Sequence, residues 1–160
     1  MEVLNAALKY HKQGLSVIPC NRDKTPLIAW AEFQKRLATE DEIKEWFNKW
    51  PDANVAIVTG KLSNLTVLDC DSTEAVEAFR SIYGGDTVTV KTPRGTHYYF
   101  QYAEGTRNTV KISNLDLDLR SEGGYVLAPP SQNGFGHAYY FIKDFALALD
   151  SFNKVFFNRE

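Results

Sequence analysis

Leu4, Ala7 and Leu8 fall at i, i+3 and i+4, His11 follows at i+7, and Gly14 stands as a stop, so residues 2–13 are expected to form a helix. "LSVIP" then has the unbroken apolar texture of a strand. "TEDEIKEWFNKW" opens with Thr39 and Glu42 at capping-box spacing and carries Ile43, Trp46, Phe47 and Trp50 on one stripe before Pro51 ends it. "NVAIVTG" and "LTVLDC" read as buried strands. Ala75, Val76, Phe79 and Ile82 predict a helix that Gly84-Gly85 terminates. The order to this point is α-β-α-β-β-α. Beyond residue 85 come five strand-like runs, "TVTVK", "HYYFQY", "LDLDLR", "YVLAPP" and "HAYYFI", separated by Gly, Pro, Asn and Ser. Phe145, Leu149, Phe152 and Phe156 then predict a closing helix by their 3.6-residue period. The pattern as a whole predicts an α+β fold.

Length and composition narrow the class. A chain of 160 residues with 44% hydrophobic and 13% aromatic residues suits one domain, residues 1–160, with a substantial core. No run of 18 apolar residues offers a membrane span, and polar Asn5, Lys9 and His11 interrupt the N-terminal apolar positions, so a cytoplasmic protein is expected. Cys20 and Cys70 stand far apart without a CxxC partner, which excludes a four-cysteine zinc site and a disulfide framework. The net charge of −2 argues against general adhesion to polynucleotide, so any grip on nucleic acid must be local.

Against this background "NLTVLDCDST" stands out. Leu65, Val67 and Leu68 promise a buried strand, yet Asp69 and Asp71 arrive at its end on one face, because strand side chains alternate. Asp71 alone is explained as the N-cap of the helix beginning near Thr73. Asp69 is not. Two carboxylates roughly 6–7 Å apart repel unless a cation lies between or beside them. Oxygen ligands without clustered His or Cys select Mg²⁺ or Mn²⁺ over zinc. "NLDLDLR" offers further carboxylates: alternation sets Leu115, Leu117 and Leu119 on one face and Asp116, Asp118 and Arg120 on the other. A solvated strand face is the plain alternative. In "KTPRGTHYYF", Lys91, Arg94, exposed N–H groups at the Gly95 turn and His97 converge where an anion such as a triphosphate could sit. His11 and His137 read as structural histidines.

Together these residues resemble the primase-polymerase (prim-pol) domain of plasmid and phage replication proteins, within the archaeo-eukaryotic primase superfamily. The resemblance spans nearly the whole chain: "KTP" and Trp30, "WPDANVAIVTG", "LDCD", "GTHYYF", "LDLR" and "GGYVLAPPS" occur in the family's order. It implies an RRM-like antiparallel sheet flanked by helices. It also implies two-metal, template-directed nucleotidyl transfer in DNA replication, with Asp69, Asp71 and Asp118 holding Mg²⁺ or Mn²⁺ and His97, Arg120, Arg94 and Ser131 binding the nucleotide. Asp116 has no counterpart in that scheme and is expected at the surface. Nucleoside triphosphates and a DNA template or primer-template are the implied partners, with an attached or associated helicase and a helical priming domain. Relatives often carry a Ser/Gly-rich turn before the histidine, where this chain has Thr92-Pro93-Arg94-Gly95-Thr96, and some insert a zinc-binding stem that this chain cannot build. Two other classes fit the same residues less fully: a metal-dependent nuclease, and a non-catalytic nucleotide- or DNA-binding module.

Overall fold

The computed structural model describes residues 2–110 and 114–153. Helix α1 (Glu2–Lys12) ends in a Schellman motif: Leu15 N–H donates to the Tyr10 carbonyl and Gly14 N–H to that of His11, with Gly14 at φ +86°. The turn delivers the chain into strand β1 (Ser16–Cys20). After a 3₁₀ turn (Ala31–Gln34), helix α2 (Glu40–Lys49) begins with the expected capping box, Thr39 Oγ1 accepting from Glu42 N–H and the Glu42 carboxylate from Thr39 N–H. Strands β2 (Asn54–Val58) and β3 (Thr66–Cys70) follow, then helix α3 (Thr73–Ile82). The second half supplies β4 (Thr89–Lys91), β5 (Thr96–Gln101), β6 (Leu117–Arg120), β7 (Tyr125–Leu127), β8 (Tyr140–Lys143) and β9 (Asp150–Ser151).

The strands form two sheets. One is antiparallel, in the order β1-β2-β7; the other runs β6-β3-β5-β4-β8, antiparallel throughout, with β9 added parallel to the end of β5. A large core including Tyr10, Val17, Ile43, Phe47, Ile57, Val67 and Tyr99 joins the smaller sheet, α1 and α2 to one face of the larger sheet. A second core of Leu68, Cys70, Phe79, Tyr98, Phe100, Leu117 and Leu119 fills the space beneath α3 on the opposite face. Strand β3 therefore divides its residues by parity: Leu68 and Cys70 enter the α3 core, while Val67 joins the first. Burial of both cysteines pushes their thiols up to about 12, ahead of the effect of nearby aspartates, which keeps them protonated and unreactive.

Two expectations about elements are corrected. The N-cap of α3 is Ser72, whose hydroxyl accepts from Ala75 N–H, and not Asp71. No helix runs over 145–151. Asp144 forms an Asx turn that takes Ala146 N–H on its side chain, while its carbonyl accepts from Leu147 N–H, and β9 follows. The periodic spacing of Phe145, Leu149 and Phe152 reflects two burial sites: the first two pack on the large core and Phe152 enters the core under α3. Phe156 lies outside the described residues.

Candidate active site

Three neighbouring strands present the site. In β3, Asp69 lies opposite His97 of β5 on one side and Asp118 of β6 on the other, and Val67 lies opposite Arg120. Residues directly opposite in a ladder point to the same face, so this register gathers Asp69, His97, Asp118 and Arg120 on the face turned away from α3. The alternation of "LDLR" is thereby explained, since Leu117 and Leu119 serve the α3 core while Asp118 and Arg120 serve the site. Asp71 stands just beyond the end of β3, its N–H donated to the Asp116 carbonyl at 2.8 Å. That bond makes the Asp116 backbone useful to the site. Its side chain is exposed, as expected.

Ligand atoms of Asp69, Asp71 and Asp118 lie within 4.8 Å of one another. Asp69 is only 6% exposed, and its Oδ1 has no hydrogen-bond partner among the described residues. A buried carboxylate oxygen without a donor is costly unless something else satisfies it. Oxygen-only donors and this orphaned acceptor fit a hard divalent cation. Arg120 offsets part of the charge, with Nη2 3.0 Å from Asp118 Oδ2 and 3.6 Å from Asp69 Oδ2. His97 Nε2 stands 3.3 Å from Asp69 Oδ1, and its Nδ1 is buried without a partner among the described residues.

The two β3 carboxylates are driven apart in acidity. Burial acts to raise the Asp69 pKa, but His97, Asp71 and Arg120 together hold it below the usual carboxylate range. Asp71 is pushed up to about 6, first by burial and then by the charge of Asp69, against weaker opposing effects of Arg94 and Lys24. One carboxylate is thus firmly ionised beside another that keeps a proton into mildly acidic solution.

A cleft of about 220 Å³ opens between the two sheets, lined by Asp69, His97, Arg120, Lys24, Asn108 and Tyr139. Tyr139 approaches the His97 ring at 6.0 Å between centroids. A larger hollow of about 490 Å³ beside α1 and Pro129-Pro130 contains none of the acidic cluster. Lys24, Asn108 and Tyr139 reach the cleft from loops remote in sequence. "KTP" was the only signal for Lys24; Asn108 had none.

Other expected residues fall differently. Arg94 is exposed, close enough to Asp71 to influence its charge. Lys91 Nζ donates to the carbonyls of Thr92 and Gly95, and Gly95 N–H is taken by Thr92 Oγ1, so these two groups are not the free donors expected of them. Ser131 is not brought to the cleft. It is fully buried, its Oγ accepting from Val55 N–H at 3.0 Å and donating to the Val55 carbonyl at 2.9 Å. His11 is a partly buried residue of α1 and His137 lies exposed in a turn, neither near the cluster's lining.

An acidic trio at one end of an antiparallel sheet, flanked by Arg120 and with Asp69 lining a cleft, has the donor chemistry to hold a divalent cation. Residues 7–153 match the family model described as bifunctional DNA primase/polymerase, N-terminal, and the chain belongs to this prim-pol family. No curated protein matches the chain. The family is one of nucleotidyltransferase-type enzymes, and membership implies binding of nucleotides and DNA. Among the described residues no helix is long and apolar enough to cross a membrane.

Proposed function

We propose that this chain performs template-directed nucleotidyl transfer, extending or initiating a DNA-paired strand, at the cleft between its two sheets. The observation that carries the reading is the register of β6, β3 and β5, which sets Asp118, Asp69 and His97 side by side with Arg120 within ion-pair reach of both carboxylates. Asp69, Asp71 and Asp118 would hold Mg²⁺ or Mn²⁺. When bound, such ions lower the pKa of an attacking 3′-hydroxyl and neutralise departing pyrophosphate.

The chain's own groups orient the substrate. Arg120 lines the cleft from the edge strand and is positioned by Asp118, so its guanidinium remains in place to meet a phosphate oxygen. His97, fixed between Asp69 and Tyr139, offers an imidazole to the same phosphates. Arg94, exposed at the neighbouring turn, adds positive charge at the Asp71 end. Phosphoryl chemistry asks chiefly for alignment and charge stabilisation, and a site carried on paired strands supplies both without rearrangement.

The test is extension of a labelled primer on a DNA template, and synthesis without primer, with Mn²⁺ and each nucleotide pool in turn. The reading predicts template-dependent products that disappear in Asp118→Ala. Shortening of the primer without nucleotides would indicate a nuclease, and triphosphate binding without any product would indicate a binding module; either result overturns it.

A further inference from the structure

Lys24 is a lysine in a backbone conformation that suits glycine. Its φ is +75°, in the left-handed region that L side chains rarely adopt. The loop that holds it there is closely tied. Asn21 N–H donates to the Thr25 carbonyl, Lys24 N–H to that of Asn21, and Asp23 Oδ1 accepts from both N–H and Oγ1 of Thr25. The Lys24 carbonyl accepts the Tyr125 hydroxyl proton at 2.7 Å, and the Tyr125 ring is braced edge-on by Trp30 at 5.0 Å. Strand β7 of the smaller sheet thus reaches across 101 residues of sequence to fix one loop carbonyl.

The result is that Lys24 lines the cleft facing Asp69, His97 and Arg120. Among the described residues it pairs with no carboxylate at ion-pair distance, in contrast to Arg120, which is held by Asp118. An ammonium with three donors and no fixed partner, on a flexible stem over a site for polyanions, is chemically a phosphate ligand. We propose that Lys24 binds the phosphate tail of the incoming nucleoside triphosphate from the side of the smaller sheet, and that Tyr125 is the positioning residue that keeps it there. The proposal rests on the nucleotidyl-transfer reading of the same cleft. It makes the cleft a clasp, with His97 and Arg120 on one sheet and Lys24 on a loop anchored to the other.

Lys24→Gly provides the decisive variant, because glycine removes the ammonium while relaxing the backbone. Calorimetric titration with a deoxynucleoside triphosphate and Mn²⁺ should show affinity reduced about tenfold, the effect of one charge-assisted contact. Nucleoside monophosphate and primer-template affinities should stay near wild type, and the melting temperature should hold or rise. In primer extension the KM for nucleotide should rise more than kcat falls. Lys24→Arg should retain most of the affinity, and Tyr125→Phe should lose part of it in the same direction. Unchanged triphosphate affinity in Lys24→Gly overturns the proposal. So does tighter Mn²⁺ binding without a triphosphate defect, which would mean that Lys24 merely offsets Asp71. A wild-type protein that binds no triphosphate would instead remove the nucleotidyl-transfer reading itself.

Discussion

Gly95 lies so close to the end of β3 that a Cβ placed on it would stand 1.8 Å from the carbonyl oxygen of Cys70 and 3.1 Å from the Asp71 Cα. Both obstacles are backbone, so no side chain can move aside. Gly95→Ala must push the β4–β5 turn from β3 and, two residues on, draw His97 from Asp69. The expected outcome is a stability loss of about 3 kcal/mol, the upper range for overpacking, with nucleotide incorporation strongly reduced. Gly134→Ala, where a Cβ would meet nothing within 4 Å, should leave both properties near wild type in the same melting and extension assays.

Asp118 and Asp116 differ by one strand repeat and in consequence. Asp118→Ala should lower incorporation by orders of magnitude, because it removes one of the three clustered carboxylates and the partner of Arg120. Asp116→Ala should retain most activity, since Asp116 serves Asp71 through its backbone carbonyl, which alanine keeps. Comparable loss in both folded variants would show that the acidic face is shared differently.

Protonation of Asp71 links stability to pH. Its folded pKa of about 6 exceeds the ordinary 3.8, so between these values the folded protein binds more protons than the unfolded chain. Its favourable contribution is full below about pH 4 and is lost as the pH rises through 6. Asp69, with its pKa lowered, titrates below that window. Melting temperatures with chelator present should therefore show Asp71→Asn gaining on wild type from pH 4 to 7. Mn²⁺ affinity of the wild type should climb over the same interval as the competing proton leaves.

Ser72 rather than Asp71 caps α3, so Ser72→Ala should cost about 1 kcal/mol with activity per folded molecule retained. Asp71→Asn should show the opposite pairing, with stability held and extension lost. Chemical denaturation alongside primer extension separates the two.

Ser131 joins the ends of two backbone groups of Val55 inside the protein. Ser131→Ala leaves the buried Val55 N–H without that partner, while the Val55 carbonyl keeps the Ala128 N–H, and should cost about 1–3 kcal/mol. Triphosphate affinity measured on the folded fraction should be unchanged, and a selective affinity defect would place the hydroxyl in substrate binding after all.

Sequence reading succeeds where the signal is local. Alternation in "LTVLDC" and "LDLR" announced both faces of β3 and β6, because period 2 is local and each face has its own chemistry. The Thr39 capping box was likewise legible from two residues, Thr39 and Glu42, three positions apart. Which of two adjacent polar residues caps α3 depends on backbone angles that letters do not encode, with Ser72 at φ −152° and ψ 160°. The Phe145–Phe152 spacing misled because two different cores supplied the burial that one helix face would have required. Lys24, Asn108 and Tyr139 meet Asp69 at the cleft from loops far apart in sequence, a relation carried by no local pattern.

Strand β3 is hydrogen-bonded on both edges, to β5 and to β6, with a core on each face. Its amides should exchange with deuterium only when the whole domain unfolds, whereas the exposed Lys24 and Arg94 side chains can swing on their stems about a fixed backbone. The acids therefore hold their places on the timescale of global unfolding, and the cations on the loops can follow an arriving and departing polyanion far faster without disturbing them.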